Sequence, residues 1–497
     1  MHFESTALTL LLACPLLGSA VLALVGHRDG ARDVNVAFSL GTFVAACALT
    51  VQIVERGPLL VWQREFYVDA LNVFLVTLTA FVGLTTSIFS RPYMRVERDH
   101  GKMTPPRLRL YHSMYQLFGF TMLLALTTNN LGIVWVAMEA ATLTTVLLVS
   151  VYRSAASLEA AWKYFILCGV GIAQALFGTV ALYFAAQHAL PDAAADGLSW
   201  SALYAVAPQL EPRVMSVAFV FLLVGYGTKV GLVPLHSWLP DAHSEGPTPM
   251  SAVLSGLLLN VALYAVVRMK MLTDAALAHS AAPALAGHLL MGFGLVSFLV
   301  AAVSLQRRRD IKRLFSYSSI EHMGLMTFGF GVGGPLATFA ALLHMLVHAL
   351  TKSAIFITVG HATHISRSQR IDRIRGLIRT QPAVGWGLLI GVAAIAGFPP
   401  FGIFTSEFLL LSATMRAWPW LTIPLMVGLV VAFAGLFRSV QPMVFGAAPP
   451  GQYPVRANML PVILQLALVL LLGIALPGLL AHWLDQATQL ITGRHLL

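Results

Sequence analysis

Gly225-Tyr-Gly-Thr-Lys-Val-Gly-Leu-Val-Pro234, with Pro240 close behind, places a lysine inside an apolar stretch and surrounds it with residues that interrupt helices. Proline within a helix removes a hydrogen bond and clashes with the preceding turn, so the segment reads as a discontinuous helix with Lys229 beside the break. A second stretch, Gly397-Phe-Pro-Pro-Phe-Gly402, has the same character and is followed by Glu407. Outward from both, apolar segments of about 20 residues recur along the chain, each long enough to cross a hydrocarbon core of about 30 Å as a helix. They fall at 5–26, 34–54, 69–90, 111–128, 131–151, 160–186, 214–239, 248–271, 286–305, 315–332, 336–362, 383–412, 420–437 and 458–482. The expected fold is an all-α integral membrane protein of about fourteen transmembrane helices, two of them broken.

Composition agrees. Of 497 residues, 58% are hydrophobic and 10% charged, against a soluble average of about half apolar and a quarter charged. The first span has no basic residue before it, is too long for a signal peptide and lacks a convincing cleavage site, so it reads as a retained helix. A net charge of +10 would suggest nucleic acid in a soluble protein, but here its distribution decides. Of the 31 Lys and Arg, 21 lie in loops after odd-numbered spans, 7 on the opposite side and 3 inside the membrane. That asymmetry is the positive-inside pattern and places both termini outside the cytoplasm. Topology accounts for most of the densest clusters, Arg91 to Arg109, Arg307 to Arg313 and Arg367 to Arg379; docking of cytoplasmic subunits or anionic lipid is the further reading. Cys14, Cys47 and Cys168 sit in separate spans without CxxC spacing, which gives no support to a disulfide framework or a thiolate metal site. The longest connections, 187–213 and 438–457, are too short to build a core, so 1–497 reads as one membrane domain.

Each interrupted span comes near the end of a block of about five spans, 111–272 and 284–440, flanked by N-terminal helices over 1–110 and a C-terminal helix within 441–497. Each block also carries a lysine one span before its break, Lys163 and Lys352. Discontinuous helices in corresponding positions of two halves signal a transporter repeat with a site near mid-bilayer, although simple proline kinks would explain the breaks alone.

Charges inside the membrane are the informative residues, since each costs at least about 2.5–3.5 kcal/mol at the centre of an isolated helix. Glu139 lies mid-span with no basic residue on its own helix, so its partner must come from another; Lys229 and Lys163 are the candidates. Such a pair can act as a switch that loads and releases a proton, or as a static lock between helices. His344, His348 and Lys352 are spaced by four and share one helix face with rises of about 6 Å, a ladder suited to protons and intervening water. Imidazole titrates near neutrality and has a nitrogen on either side of the ring. Packing histidines and haem or metal ligation are the competing readings, with Lys352 on the same face arguing against a bound cation. His361 and His364 lie where the ladder would open towards the cytoplasm, and Glu407 would end the line. Glu321 and His322, near the start of the tenth span, and Glu159, four residues before Lys163, are secondary, with helix-end solvation as the plain alternative. No GxxxxGK[ST] loop and no nucleophile–histidine–acid constellation is found, which argues against ATP hydrolysis and surface catalysis. The nine Trp read as interfacial anchors and core packing.

Several stretches resemble one family: Trp135-Val-Ala-Met-Glu139, Leu158-Glu-Ala-Ala-Trp-Lys163-Tyr-Phe, Lys229-Val-Gly-Leu-Val-Pro-Leu-His-Ser-Trp-Leu-Pro-Asp-Ala-His243, Arg309-Asp310-Ile-Lys-Arg-Leu-Phe-Ser-Tyr317 and Ser406-Glu407-Phe408. Together they look like the antiporter-like membrane subunits of respiratory complex I and its relatives, over essentially the whole chain. Asp241-Ala-His-Ser-Glu245 and Ser255-Gly-Leu-Leu-Leu-Asn260 are most similar to the component F subunits of hydrogenase-4, a membrane-bound nickel-iron hydrogenase. The resemblance implies two inverted five-helix repeats and a line of charges coupling redox chemistry elsewhere to proton translocation. Carried over by position, Glu139 and Lys229 form the charge pair, Lys163 modulates it, His344, His348 and Lys352 continue the axis and Glu407 ends it; Asp310 and Asn260 join the secondary set. Asn260 is a departure, because several relatives have lysine or histidine there and an amide cannot titrate. The resemblance further implies a non-catalytic subunit without cofactors of its own, in the bacterial inner membrane. Nickel-iron and iron–sulfur centres would then sit in cytoplasmic hydrogenase-type partners beside other membrane subunits. A subunit of an NADH-quinone oxidoreductase, a cation/proton antiporter component, an energising subunit for inorganic carbon uptake and a structural scaffold remain the other readings.

Overall fold

The computed structural model describes residues 5–190, 196–448 and 457–497. Its long helices are α1 (Thr6–Val25), α2 (Ala31–Arg56), α3 (Ala70–Asp99), α4 (Pro105–Thr127), α5 (Leu131–Val149) and α6 (Ala155–Ala186). The first broken span follows as α7 (Pro212–Val230) and α8 (Trp238–Glu245), and then α9 (Thr248–Leu277). The second half has α10 (Leu285–Ser304), α11 (Ile311–Val332), α12 (Gly334–Ser366), the broken pair α13 (Pro382–Ile395) and α14 (Gly402–Ala417), α15 (Thr422–Phe445), α16 (Leu460–Ile474) and α17 (Gly478–Thr492). Among the described residues, ten helices are long and apolar enough to span a membrane. The more polar α4 and α11, of 23 and 22 residues, and the pair α13 and α14 occupy other expected spans.

The last expected span, 458–482, is corrected. Helix α16 stops at Ile474, and α17 starts again at Gly478 turned by 81°. Pro477 offers no N–H to continue the ladder and drives the residue before it out of the helical region. The C-terminal region therefore holds two helices rather than one. The connection between α2 and α3 is also more ordered than sequence suggested. It forms a hairpin of β1 (Leu59–Val61) and β2 (Phe66–Val68), with Leu59 opposite Val68.

Helix starts follow local chemistry. Asn130 caps α5 by accepting from the N–H groups of Gly132 and Ile133, and Pro212 opens α7 where an N–H would have no partner. Helices pack closely where a side chain would collide. A Cβ on Gly225 of α7 would strike the backbone of Gly171 and Ala175 of α6. Small residues let apolar helices approach where lipid provides no hydrophobic drive. The centre of the protein is α9 and α12, which are almost entirely buried, whereas α2, α6 and α15 expose much of their surface.

Loops after odd-numbered spans gather on one side. Asp29 accepts from Arg98 at 2.5 Å, Lys312 donates to the Gly246 carbonyl at 2.8 Å, and Asp310 forms a bridge with Arg370. On this rim, Arg98 holds the exposed Asp29 carboxyl below its ordinary range. At the opposite end, Asn129 donates to the Arg64 carbonyl in the hairpin turn and to the Ser199 hydroxyl, and Trp483 of α17 donates to the Ala70 carbonyl. There Asp69 starts α3 with a capping box and receives both 2.7 Å bonds from Arg268 of α9. Trp200, Tyr264 and Tyr67 surround that guanidinium, with the Trp200 ring centre 4.5 Å away. Breaking such a buried pair from one side costs about 3–5 kcal/mol, because the remaining charge is stranded. Arg268→Leu is therefore expected to lower the melting temperature in detergent sharply, and adding Asp69→Asn, which keeps the cap but removes the charge, to restore much of the loss. A double variant no more stable than the single one would refute this account.

Candidate functional site: a buried line of ionisable groups

Lys229 lies in the last turn of α7, fully buried. Gly231 adopts φ +85° and ends the helix, and the indole of Trp238 donates to the freed Thr228 carbonyl at 2.9 Å. The negative end of the helix dipole favours an ammonium at this position. The Lys229 ammonium donates to the Thr142 hydroxyl on α5, and it lies 5.5 Å from the ring centre of Tyr164 on α6. Tyr164 is in turn fixed by a 2.7 Å bond to Thr145 and by stacking on Trp238 at 4.4 Å. Tyr164 lay within a quoted motif but had no assigned role, and Thr142 was not singled out. The signal for Thr142 was its spacing, three residues from Glu139 on the same helix face.

Two expectations about this pair need correction. No direct ion pair joins Glu139 to Lys229: the carboxylate is only half-buried, one of its oxygens has no hydrogen-bond partner, and Thr142 holds the ammonium instead. Lys163 is not a partner of Glu139. It lies on the outward face of α6, half exposed, with Glu159 at 2.7 Å and Asp241 at 3.3 Å. The helix turns its inner face to α7 through small residues, which leaves the long side chain outside.

Across α9, Asn260 spans the gap to α12. Its amide donates to the carbonyls of Gly256 and Met345, at 3.3 and 3.2 Å, and its oxygen is buried without a protein partner. Just before it, Leu254–Leu258 forms a π-turn. There Ser255 bonds Ser319 of α11 at 2.7 Å. Such turns recur at functional positions because they re-aim neighbouring side chains.

His344, His348 and Lys352 do share one buried face of α12, with the two imidazole centres 6.3 Å apart. For Glu321 and His322 the plain alternative of helix-end solvation does not hold. Capped by Asp310, α11 begins at Ile311, which puts both residues mid-helix at 1% exposure. Burial raises the carboxyl of Asp310 itself above its ordinary value. His322 joins the ladder directly: its Nδ1 is 2.9 Å from His344 Nε2, and His344 Nδ1 is 2.9 Å from the Ser406 hydroxyl. Because Ser406 donates to the Ile403 carbonyl, it accepts from His344 Nδ1–H, which leaves Nε2 to accept from His322. His322 Nε2 then faces Glu321 at 3.2 Å. His348 lies 5.4 Å from His322, its nitrogens unpaired, and Lys352 donates to the Phe315 carbonyl at 2.8 Å. Among the described residues, no group of three or more His, Cys, Asp or Glu is arranged to hold a metal ion.

Glu407 is buried on α14 beyond Ser406, against the backbone of Gly397 at the second break. At the other edge, His364 Nε2 is 2.8 Å from Glu97, and His361 is buried beside Phe89 with Nε2 3.3 Å from the Asn458 carbonyl.

Comparison with known proteins places the chain and its fold. A family model described as NADH:quinone oxidoreductase/Mrp antiporter, transmembrane, matches residues 128–433. The chain is 46% identical over 477 residues to a hydrogenase-4 component F homolog of Methylacidiphilum infernorum, covering 96% of this chain and 98% of that protein. It is 28% identical over 370 residues to NADH-quinone oxidoreductase subunit N of Desulforudis audaxviator, covering 74% of this chain and 70% of the other. A chain of the archaeal membrane-bound sulfane sulfur reductase superposes with TM-score 0.87 at 22% identity, over 97% of both chains.

The second break gives a stability test. Gly397 and Gly334 both have φ +71°, but only at Gly397 would a Cβ strike the Glu407 carboxylate, while Gly334 faces open space. Alanine at either site incurs the left-handed penalty of about 1–2 kcal/mol. Gly397→Ala is expected to lower the detergent melting temperature further than Gly334→Ala if the Glu407 carboxylate is held in place; equal losses would show that it moves aside at little cost.

Proposed function

The chain belongs to the NADH:quinone oxidoreductase/Mrp antiporter transmembrane family, and from that premise we propose that it is the proton-translocating subunit of a membrane-bound nickel-iron hydrogenase-type complex. The observation that carries the reading is the line of ionisable groups on neighbouring helices, half-buried at Glu139 and buried from Lys229 through the histidines and Lys352 to Glu407. A static fold gains little from such groups, since desolvation offsets their attraction.

In this reading Lys229 is the switch. Thr142 sits one turn from Glu139, so a short swing of the ammonium exchanges a neutral hydroxyl for a carboxylate. Contact with Glu139 favours the charged amine, and withdrawal to Thr142 in a dry pocket favours release of its proton. Asn260 cannot titrate and acts by orienting water between Lys229 and His348. His348, His344 and His322 relay through opposite ring nitrogens, Glu321 and Glu407 take up the proton beyond them, and Lys163 with Glu159 and Asp241 tunes the outer face.

We further assign residues 111–272 and 284–440 to two inverted repeats, and the side bearing the basic loops to the cytoplasm, which leaves both termini outside. The nickel-iron and iron–sulfur centres belong to cytoplasmic partners in this proposal, which follows the relative named as a hydrogenase-4 component F homolog. The family description, which includes Mrp antiporters, supports a cation/proton antiporter component as the second reading.

Lys229→Ala is expected to leave assembly intact and abolish turnover-linked proton movement in liposomes. Nickel and iron are expected in the complex purified in mild detergent from native membranes. Lost assembly with normal proton movement per remaining complex would favour a scaffold, partners binding NADH and flavin would favour an NADH-quinone oxidoreductase, and sodium dependence would favour the antiporter.

A further inference from the structure

On the rim that carries the basic loops, a cavity of about 730 Å³ opens between the ends of α3, α8, α11 and α12. Glu97, His364, Tyr93, Glu245 and Lys312 are among its walls. Glu97 is 1% exposed; one oxygen meets His364 at 2.8 Å, and the other is buried with no partner. Tyr93 stacks on His364 at 4.4 Å and fixes its ring plane. At the floor, Lys312 is 2% exposed, and its ammonium bonds main-chain carbonyls, those of Gly246 at 2.8 Å and Ser244 at 3.4 Å. None of these residues takes part in the line from Lys229 to Glu407.

The two carbonyls that hold Lys312 belong to the segment immediately after His243. His243 is fully buried, and neither ring nitrogen has a hydrogen-bond partner. Its ring lies flat on Phe356 of α12, 4.9 Å between centres, and Phe356 is one turn along that helix from Lys352. Phe315 completes the link: it stands edge-on to Phe356, and its carbonyl receives the Lys352 ammonium at 2.8 Å. His243 is thus bracketed by the lysine of the cavity floor and the lysine of the central line. Leaving a buried polar group unpaired costs about 1–3 kcal/mol, so packing alone would favour an apolar ring against Phe356. An imidazole with both nitrogens free is suited to take a proton on one and release it from the other, through water.

We propose that this cavity is the inside-facing proton port of the chain, and that protons pass from Glu97 and His364 through Lys312 and His243 to Lys352. Each step moves one proton and no electrons. The inference rests on the proton-translocation reading and adds the route by which the central line is loaded.

The test uses the whole complex in liposomes, with proton movement measured per redox turnover. His243→Phe preserves an aromatic ring against Phe356 but removes both nitrogens, and Lys312→Met preserves length without charge. Each is expected to assemble, to retain redox turnover and to lower proton movement by at least about tenfold. Should either variant not assemble, Thr363→Cys in the cavity wall tests the port in an otherwise unchanged chain. A bulky, membrane-impermeant thiosulfonate should block proton movement when added from the cavity side and leave it intact when added from the other. Normal proton movement in His243→Phe and Lys312→Met, or in the thiosulfonate-labelled protein, overturns the port while the central line stands if Lys229→Ala is inactive. Proton movement surviving Lys229→Ala removes the underlying reading, and the port with it.

Discussion

A backbone can break at membrane depth only where the protein supplies the hydrogen bonds that lipid cannot, and the architecture of this chain turns on meeting that condition twice. At the first break, Trp238 caps the Thr228 carbonyl, Leu232 N–H returns to Gly227, and Ser297 of α10 accepts from Val233 N–H at 2.9 Å. These bonds come from both halves of the molecule, so the break is stable only inside the assembled bundle. It also aims Lys229 into the interior from a helix end and starts α8, which carries His243 to Phe356. At the second break, the N–H groups of Ala396 and Phe398 return to Val392 and Ala393, which presents Gly397 to Glu407.

Buried charge is used in two distinct ways. Asp69 and Arg268 are nearly saturated: one guanidinium nitrogen donates to both carboxylate oxygens, and a capping box and three aromatic rings leave little freedom, although Arg268 Nη1 is buried without a hydrogen-bond partner; the pair ties α3, α9 and the hairpin together. Along the central line, and between it and the cavity on the basic rim, the groups are under-satisfied. His348 and His243 have unpaired nitrogens, Asn260 an unpaired oxygen, and Lys352 and Lys312 rest on neutral carbonyls. Saturation fixes geometry, whereas spare donors and acceptors are what a group needs if a proton is to arrive and leave.

The two lysines that precede the breaks show how position alters role. Lys352 stands on α12, which is sheathed by neighbours on all sides, while Lys163 stands on α6 among exposed apolar residues such as Trp162 and Ile166. A place one span before a break therefore gives one lysine a dry environment and the other a surface ion-pair network with Glu159 and Asp241, where such pairs contribute little stability.

The membrane class, nearly every helix, both breaks and the His344–His348–Lys352 face were legible in the sequence, because hydropathy, proline and four-residue spacing are local properties. The odd-numbered loops converge on one side as their charge asymmetry implied. What sequence could not provide was partnership between elements: that Thr142 rather than Glu139 holds Lys229, that Lys163 turns outward, that His322 bonds His344, and that His243 lies between Lys312 and Lys352. Glu321 and His322 were ranked second because the start of α11 depends on the Asp310 cap, five residues before the expected span begins at 315. The sequence alone determined which residues must leave water and where the chain must bend. The tertiary structure decided which buried groups meet, because a hydrogen bond between helices depends on crossing angle and rotation, and neither is written in the spacing of any one helix.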